Sequence, residues 1–369
     1  MRLVWLSWKD LKHPLAGGAE VVTHNLLKRL AADGHEVVLV TSRPPNTQAE
    51  ETVDGYKIVR AGNRYSVYFK ARKYYEHTLK NWADIVIDET NTIPFYASKY
   101  SSKPTLLFVH QLARKVWFYQ MTWPLNWIGY MLEPLYLRPL NNEHVITISE
   151  STKQDLIKTA GFKAQNIKII TQGSGLEPLT SLNGITKYEQ PTLLSLGSVR
   201  PMKGTANIVA AFEHAKKQLP DLRLLVAGDM SGPYGEKVAK QIKNSPYKAD
   251  IQILGRVSQG KKEELMQRSH AIAVASVKEG WGLIVTEANG QGTPAVGYDV
   301  DGLRDSIKHQ RTGLVAHPDP QSLGDAVVAL LKDPQYETIR RNSWQDSKQY
   351  TFDNCYKDFI RLATDYLNR

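Results

Sequence analysis

The stretch "VKEGWGLIVTEANGQGTPAV", Val277–Val296, holds two carboxylates, Glu279 and Glu287, eight positions apart among glycines at 280, 282, 290 and 292. An ionised carboxylate is costly to bury without a partner, so two acids in a largely aliphatic segment point to chemistry. Two uses suit the pair. Carboxylates flanking a glycosidic bond act as acid and base in hydrolysis. Alternatively, glycines let main-chain amides approach an anion, a helix N-terminus favours that anion, and the acids accept hydrogen bonds from hydroxyls on either side. A sugar and a ribose joined by a diphosphate present that set of groups.

The elements around the acids separate these uses. "AIAVAS" has the composition of a buried strand, and "LIVTEANGQG" starts as a helix that ends at Gly290 or Gly292. "VKEGWG" between them is then a strand-to-helix turn. Glu279 falls in the turn and Glu287 about one turn into the helix, so the two acids do not share a helical face. The ligand-holding use fits this placement better than the hydrolytic one.

The whole chain alternates in the same way. "RLVWLSW" is followed by "AEVVTHNLLKRLAADGH", with Val22, Leu26, Leu27 and Leu30 at helical spacing and Gly34 as a stop. "EVVLVTS", "ADIVIDE", "PTLLFVH", "HVITISE" and "NIKIITQ" are short apolar runs of the parallel-strand type. From Thr192 the cycle restarts with "TLLSLGS", "RLLVAGD", "DIQILGR", "AIAVAS" and "TPAVGYD". Two β-α-β series imply an α/β protein of two doubly wound, Rossmann-like domains, over 1–175 and 190–349. The Gly/Ser/Thr/Pro-rich stretch 176–189 would be a hinge linker. Ligands of such sheets sit beyond the carboxyl ends of the strands, which predicts a cleft between the domains.

Against this frame, Glu279–Pro294 matches the C-terminal signature E-G-[FW]-G-L-x-x-x-E-A…G-T-P of the retaining glycosyltransferases of family 4 at every fixed position. The chain resembles that family, whose architecture is called GT-B. The resemblance implies that Glu279 binds donor-sugar hydroxyls and that Glu287 binds the ribose. The amides of Gly280, Trp281, Gly282 and Leu283 would contact sugar and phosphate. It makes "LAGGAE", with Gly17 and Gly18 ahead of the first helix, similar to the N-terminal diphosphate loop. His110, closing "LLFVHQ", would stand beside the reacting anomeric carbon and give the donor sugar a hydrogen bond. "LGSVRPMKG" puts Lys203 on the phosphate-binding lysine, whereas the expected arginine position holds Ser198, with Arg200 two residues on. Arg256 in "LGRVS" resembles the strand end near the nucleobase. The resemblance assigns 1–175 to the acceptor and 190–349 to the nucleotide sugar, with a last helix in 350–369 crossing back onto the first domain. His110, Glu279 and Lys203 are thus the candidate catalytic groups.

By the same resemblance the reaction moves a sugar from a UDP- or GDP-sugar to an acceptor hydroxyl with retention, in the synthesis of cell-envelope glycan, glycolipid or polysaccharide. Cofactor and metal are expected to be absent. Asp299-Val300-Asp301 has the Asp-x-Asp spelling of a metal site, but its frame reads as a turn. An epimerase or sugar phosphorylase of the same fold, and a non-catalytic membrane- or nucleic-acid-binding module, are the alternatives.

Composition sets the remaining limits. The chain has 369 residues, 42% apolar and 23% charged, with a net charge of +10 and one cysteine, Cys355. No apolar run reaches the ~18–20 residues that span a bilayer, and one cysteine makes no disulfide. A cytoplasmic protein is expected, with peripheral contact at the inner face of the cell membrane. Between Lys57 and Lys115 there are eleven Lys/Arg against four Asp/Glu, an excess suited to phosphates or an anionic surface. Lys115–Asn142 holds three of the eight tryptophans. Packing helices explain that segment, as does an aromatic face that meets lipid headgroups or an apolar acceptor. The expected partners are the nucleotide sugar and a carbohydrate or lipid-linked acceptor; nucleic acid is not expected.

Overall fold

In the computed structural model, which describes residues 1–368, the chain divides into two units. The first comprises residues 1–117, 123–173 and the terminal segment from Thr351; the second comprises 118–122 and 174–350.

Unit 1 contains β1 (Arg2–Leu6), α1 (Gly18–Ala32), β2 (Glu36–Thr41), β3 (Glu50–Val53), β4 (Tyr56–Arg60) and α2 (Val67–Tyr74). Then follow β5 (Ile85–Thr90), β6 (Thr105–Val109), a short turn α3 (Trp117–Gln120) that from Phe118 on belongs to unit 2, α4 (Leu125–Leu137), β7 (His144–Thr147), α5 (Glu150–Ala160) and β8 (Ile167–Ile169). Their sheet runs β3-β4-β2-β1-β5-β6-β7-β8, parallel except for the antiparallel β3–β4 edge. Leu3 pairs with Val37 on one side and Ile85 on the other, so aliphatic side chains of the central strands stack in register and bury both faces. The sequence reading passed over β3 and β4, although Asp54-Gly55 between them, both at positive φ, makes a tight hairpin turn.

Unit 2 contains β9 (Thr192–Leu196), α6 (Thr205–Lys216), β10 (Arg223–Ala227), α7 (Pro233–Asn244), β11 (Ile251–Gly255) and α8 (Gln259–Arg268). It continues with β12 (Ala271–Val274), α9 (Leu283–Gly290), β13 (Ala295–Tyr298), α10 (Leu303–Ser306), β14 (Gly313–Ala316), α11 (Pro320–Lys332) and α12 (Tyr336–Ser347). The six strands are parallel, in the order β11-β10-β9-β12-β13-β14. One core runs from Leu193 and Phe212 to Val327 and Ile339. Residues 176–189 are tied down within this unit: the Leu179 N–H donates to Gly290 O (2.9 Å), and Trp344 Nε1 donates to Leu179 O (2.8 Å).

The last helix, α13 (Phe352–Leu367), belongs to unit 1. Thr351 caps it, and Arg29 of α1 ion-pairs with Asp353 at 2.8 Å. Phe359, fully buried, lies 5.4 Å from the Trp5 ring, centroid to centroid. Cys355, one turn earlier on α13, is buried, and burial pushes its thiol up to about 12, so it serves packing.

Candidate functional site

Both sheets have a point where the chain, having wound outward one way, returns to build the other way. In open α/β sheets the strands diverge there and leave a crevice beyond their carboxyl ends. In unit 1 this point lies between β1 and β5, and in unit 2 between β9 and β12. Gly17 and Gly18 follow β1 at the first point, and Lys203 and Glu279 follow β9 and β12 at the second; each place is described by itself.

In unit 1, β1 leads into residues 7–17 and so to α1, whose N-cap is Gly17. The Gly17 N–H donates to Glu20 Oε2 at 2.6 Å, and Lys9 pairs with Glu20 at 3.0 Å. Gly18 opens the helix. The segment after β1 is anchored by a buried cation: Arg60 Nε donates to Asp10 Oδ2 at 2.7 Å, while its Nη2 reaches Glu51 at 2.5 Å. At the end of β5, Glu89 is fully buried and wholly engaged as an acceptor. Its Oε2 accepts from Trp5 Nε1 (2.6 Å) and Thr23 Oγ1 (2.9 Å), and its Oε1 faces His110 Nε2 at 3.1 Å. A carboxylate can only accept, so Nε2 of His110 carries the proton of this bond, which leaves Nδ1 as the ring nitrogen not engaged by Glu89. His110 itself is 5% exposed, directly after β6.

In unit 2, the strand-to-helix turn falls where the sequence predicts it, between β12 and α9. Glu279 follows β12, and Lys203 closes the turn after the neighbouring β9. The two are brought together in an ion pair, and Ser276 Oγ donates to the same Glu279 oxygen at 2.6 Å. Two glycines make the approach feasible. Gly204, at φ +67°, follows Lys203, and a Cβ there would lie 2.2 Å from Ala275 O; Gly302, at φ +77°, would meet Glu279 O at 2.4 Å. The Glu279 N–H donates to Asp301 O at 3.0 Å, so the acid's main chain lies across that turn.

α9 starts at the Gly282 cap, at φ +91°, and its first N–H groups have no carbonyl one turn back. Gly282 and Leu283 therefore place amide donors at the helix N-terminus, and Gly280 and Trp281 lie in the turn just ahead of it. Trp281 is held by Nε1 donation to Thr286 Oγ1 at 2.8 Å and by Tyr350, ring centroids 5.0 Å apart. Glu287 stands one turn into α9, 7% exposed, with Lys262 of α8 at 2.8 Å. Burial raises its carboxyl above the usual range, and Lys262 offsets only part of that rise.

None of the other predicted side chains bonds to Lys203 or Glu279 among the described contacts. Arg200 is an exposed residue in extended backbone. Arg256 follows β11, is 81% exposed, and bonds Asp229, whose carboxyl is held at about 2 by the Ser231 N–H and by Arg256. Asp299 and Asp301 lie in the turn after β13. Arg304 binds both, at 2.8 Å each, and Lys278 binds Asp301 at 2.6 Å. Burial alone would raise Asp301, yet Lys278 and Arg304 hold it below the usual range.

Glu89, Glu20, Ser276 and Lys262 were missed from the sequence. Glu89 had a signal, an acid closing the aliphatic run "ADIVIDE". Lys262, one of two adjacent lysines in "QGKKEE", had none.

Comparison with known proteins agrees with this frame. The family model described as Glycosyltransferase Family 4 matches residues 16–174, and that described as Glycosyl transferases group 1 matches 183–348. N-acetyl-alpha-D-glucosaminyl L-malate synthase of Bacillus anthracis is 29% identical over 178 residues, 48% of this chain and 44% of that protein. The chain thus spans less than half the length of the first curated relatives it matches. Sucrose-phosphate synthase from Thermosynechococcus elongatus has the same fold, with TM-score 0.79 at 19% identity over 99% of this chain and 98% of that one. HepE from Anabaena, in complex with UDP and glucose, gives 0.74 at 15% identity over 99% and 100%. With two family models covering nearly all of both units and the signature turn in place, the chain belongs to the family 4 glycosyltransferases, with the GT-B fold.

Proposed function

We propose that the protein transfers a sugar from a nucleoside-diphosphate sugar to an acceptor hydroxyl, with retention of anomeric configuration and without a metal ion. The observation that carries this reading is the Lys203–Glu279 pair at the switch point of unit 2, beside the amides that open α9. A cation, a row of main-chain donors and a sugar-binding acid are what a departing nucleoside diphosphate and its sugar require. HepE, with the same fold, is described in complex with UDP and glucose, which favours UDP over GDP as carrier.

As the bond between the anomeric carbon and the diphosphate breaks, charge grows on the β-phosphate. Lys203 exchanges Glu279 for that phosphate, and the amides of Gly280–Leu283 add fixed donors. Glu279, released from Lys203, takes the sugar hydroxyls, and Glu287 takes the ribose. The acceptor oxygen bonds to the anomeric carbon from the face the diphosphate leaves, and the acceptor proton passes to the departing phosphate oxygen. His110, with Nε2 held by Glu89, offers Nδ1 to a sugar hydroxyl. The acceptor is a carbohydrate or lipid-linked glycan of the cell envelope, met at the cytoplasmic face of the membrane. No helix among the described residues is long and apolar enough to cross that membrane.

The test is nucleoside-diphosphate release from UDP-, GDP- and ADP-sugars, with and without acceptor glycans and with a chelator present. Acceptor-dependent release that survives chelation is expected. Conversion of the sugar nucleotide with no acceptor would mean an epimerase, and dependence on free phosphate a phosphorylase.

A further inference from the structure

Among the large apolar side chains left exposed, six come from α4: Leu125, Trp127, Ile128, Met131, Leu132 and Leu135, each 47% to 61% exposed. At about 100° per residue they share one arc of roughly 160°. The opposite face carries Glu133, the helix's one acid, which is 1% exposed. Its two oxygens accept the N–H groups of Ala113 (2.6 Å) and Arg114 (2.7 Å), and Trp117 Nε1 donates to it at 3.3 Å. The helix is therefore inverted relative to an ordinary surface helix, with its carboxylate inward and its aliphatic and aromatic face outward. A contiguous outward face of this kind on a globular unit marks an interaction surface.

What surrounds α4 identifies the occupant. Tyr136, near its end, donates to Thr92 O at 2.8 Å, while Tyr68 of α2 packs on Phe95 with ring centroids 4.7 Å apart. Both helices thus grip the loop after β5. α2 has no acid within its bounds and exposes Lys70 and Lys73 together with Phe69 (79%), while its Arg72 pairs at 2.9 Å with Glu76 just past its end; Tyr65, just before it, is 76% exposed. Lys70 and Lys73 have no such carboxylate beside them on α2, and the outward face of α4 has none. An apolar, tryptophan-bearing face next to a row of cations complements hydrocarbon beneath anionic headgroups. Two copies set face to face would bring like charges together, which opposes self-association.

We infer that α4 lies in the plane of an anionic bilayer surface, its outer face sunk about 5–10 Å, with Phe69 and the α2 cations beside it on the headgroups. This deepens the membrane-side reading of the acceptor given above by naming the surface that meets the lipid. α4 enters lipid through its own side chains, and Trp123, 78% exposed just ahead of it, marks the headgroup level.

The test is sedimentation of the full chain with vesicles of phosphatidylcholine alone or with phosphatidylglycerol. Binding to the anionic vesicles, weakened by salt, is expected. Met131→Ser with Leu135→Ser should lower partitioning tenfold or more, roughly, through lost apolar burial. Lys70→Gln with Lys73→Gln should lower it roughly twenty-fivefold, at about a fivefold loss per cation. Circular dichroism checks that each variant keeps its helices. No binding to anionic vesicles, equal binding to neutral ones, or no loss in either folded variant would overturn the inference. So would self-association that the Met131→Ser/Leu135→Ser variant abolishes, since a second copy would then be the occupant. UDP-induced thermal stabilisation, measured in parallel, separates the two readings: its absence from a chain that still binds vesicles counts against the transferase reading alone.

Discussion

Lys262 of α8 and Glu287 of α9 form an ion pair at 2.8 Å in which the carboxylate is buried and the amine only partly so. The acid assigned to the ribose is thus held in position by a neighbouring helix before any ligand arrives. Burial still dominates, leaving the Glu287 carboxyl raised. A raised carboxyl binds its proton more tightly in the folded state, so its ionisation opposes folding as pH rises through the folded value. Glu287→Gln removes that opposition. The melting temperature of the variant minus that of wild type is therefore expected to increase from pH 4.5 to pH 7.5, while donor affinity falls about tenfold. A difference that shrinks as pH rises would contradict this account of Glu287.

The Lys203–Glu279 pair predicts a coupled loss. Lys203→Met should lower kcat by roughly a hundredfold or more, as removal of one transition-state donor does. Glu279→Gln should raise KM for the donor as well. The double variant should lose less than the product of the two single losses, because the residues act through one site. Steady-state kinetics on the four proteins checks this, and strict additivity would contradict it.

His110 and Glu89 make a separate claim about a proton. His110→Ala should lower kcat by about ten- to a hundredfold with little change in KM. Glu89→Leu should have a similar effect by freeing the ring from its fixed tautomer, at a cost to stability, since Trp5 and Thr23 lose their acceptor. Retention of full transfer by His110→Ala would remove His110 from the mechanism.

Lys187 predicts a pH-dependent stability term. Its amine lies among four oxygens, Gln267 O (2.9 Å), Ser269 O (2.7 Å), Gly292 O (2.8 Å) and Thr293 Oγ1 (2.8 Å), more than its N–H groups can serve at once, and burial pushes it down to about 6 from the ordinary 10.5. Between these two values the unfolded chain binds the proton more strongly, so folding becomes more favourable as pH rises from about 6 towards 10. In Lys187→Met that rise should flatten, with a loss of about 1–3 kcal/mol at pH 8 from unpaired carbonyls. Denaturant unfolding at pH 6.5 and pH 9 would show it; parallel pH slopes in the two proteins would contradict it.

The parts of this molecule legible from its sequence are those set by local pattern. Aliphatic runs such as "TLLFV" and "AIAV" form the predicted parallel strands, and the glycines around Trp281 form the turn that opens α9. Helix spacing also placed Glu287 one turn into its helix. What stayed hidden depends on strand order and on contacts distant in sequence. Lys262 reaches Glu287 because α8 and α9 are neighbours, and Glu89 reaches His110 across 21 residues because β5 and β6 pair. The β3–β4 edge escaped notice because Glu50–Val53 has no buried face to give it an apolar pattern. The inverted burial of α4 could not be read from composition, because a helix rich in Leu, Trp and Ile looks like core until its surroundings are known.

Nucleotide binding to the unit 2 site tests the central claim most directly. Titration calorimetry of UDP, GDP and ADP into wild type, Lys203→Met and Glu287→Gln is expected to show one diphosphate, UDP, binding the wild type at a single site. Both substitutions should weaken that binding by about tenfold or more. If no nucleoside diphosphate binds, or if one binds all three proteins equally, the phosphate and ribose do not rest where Lys203 and Glu287 would hold them.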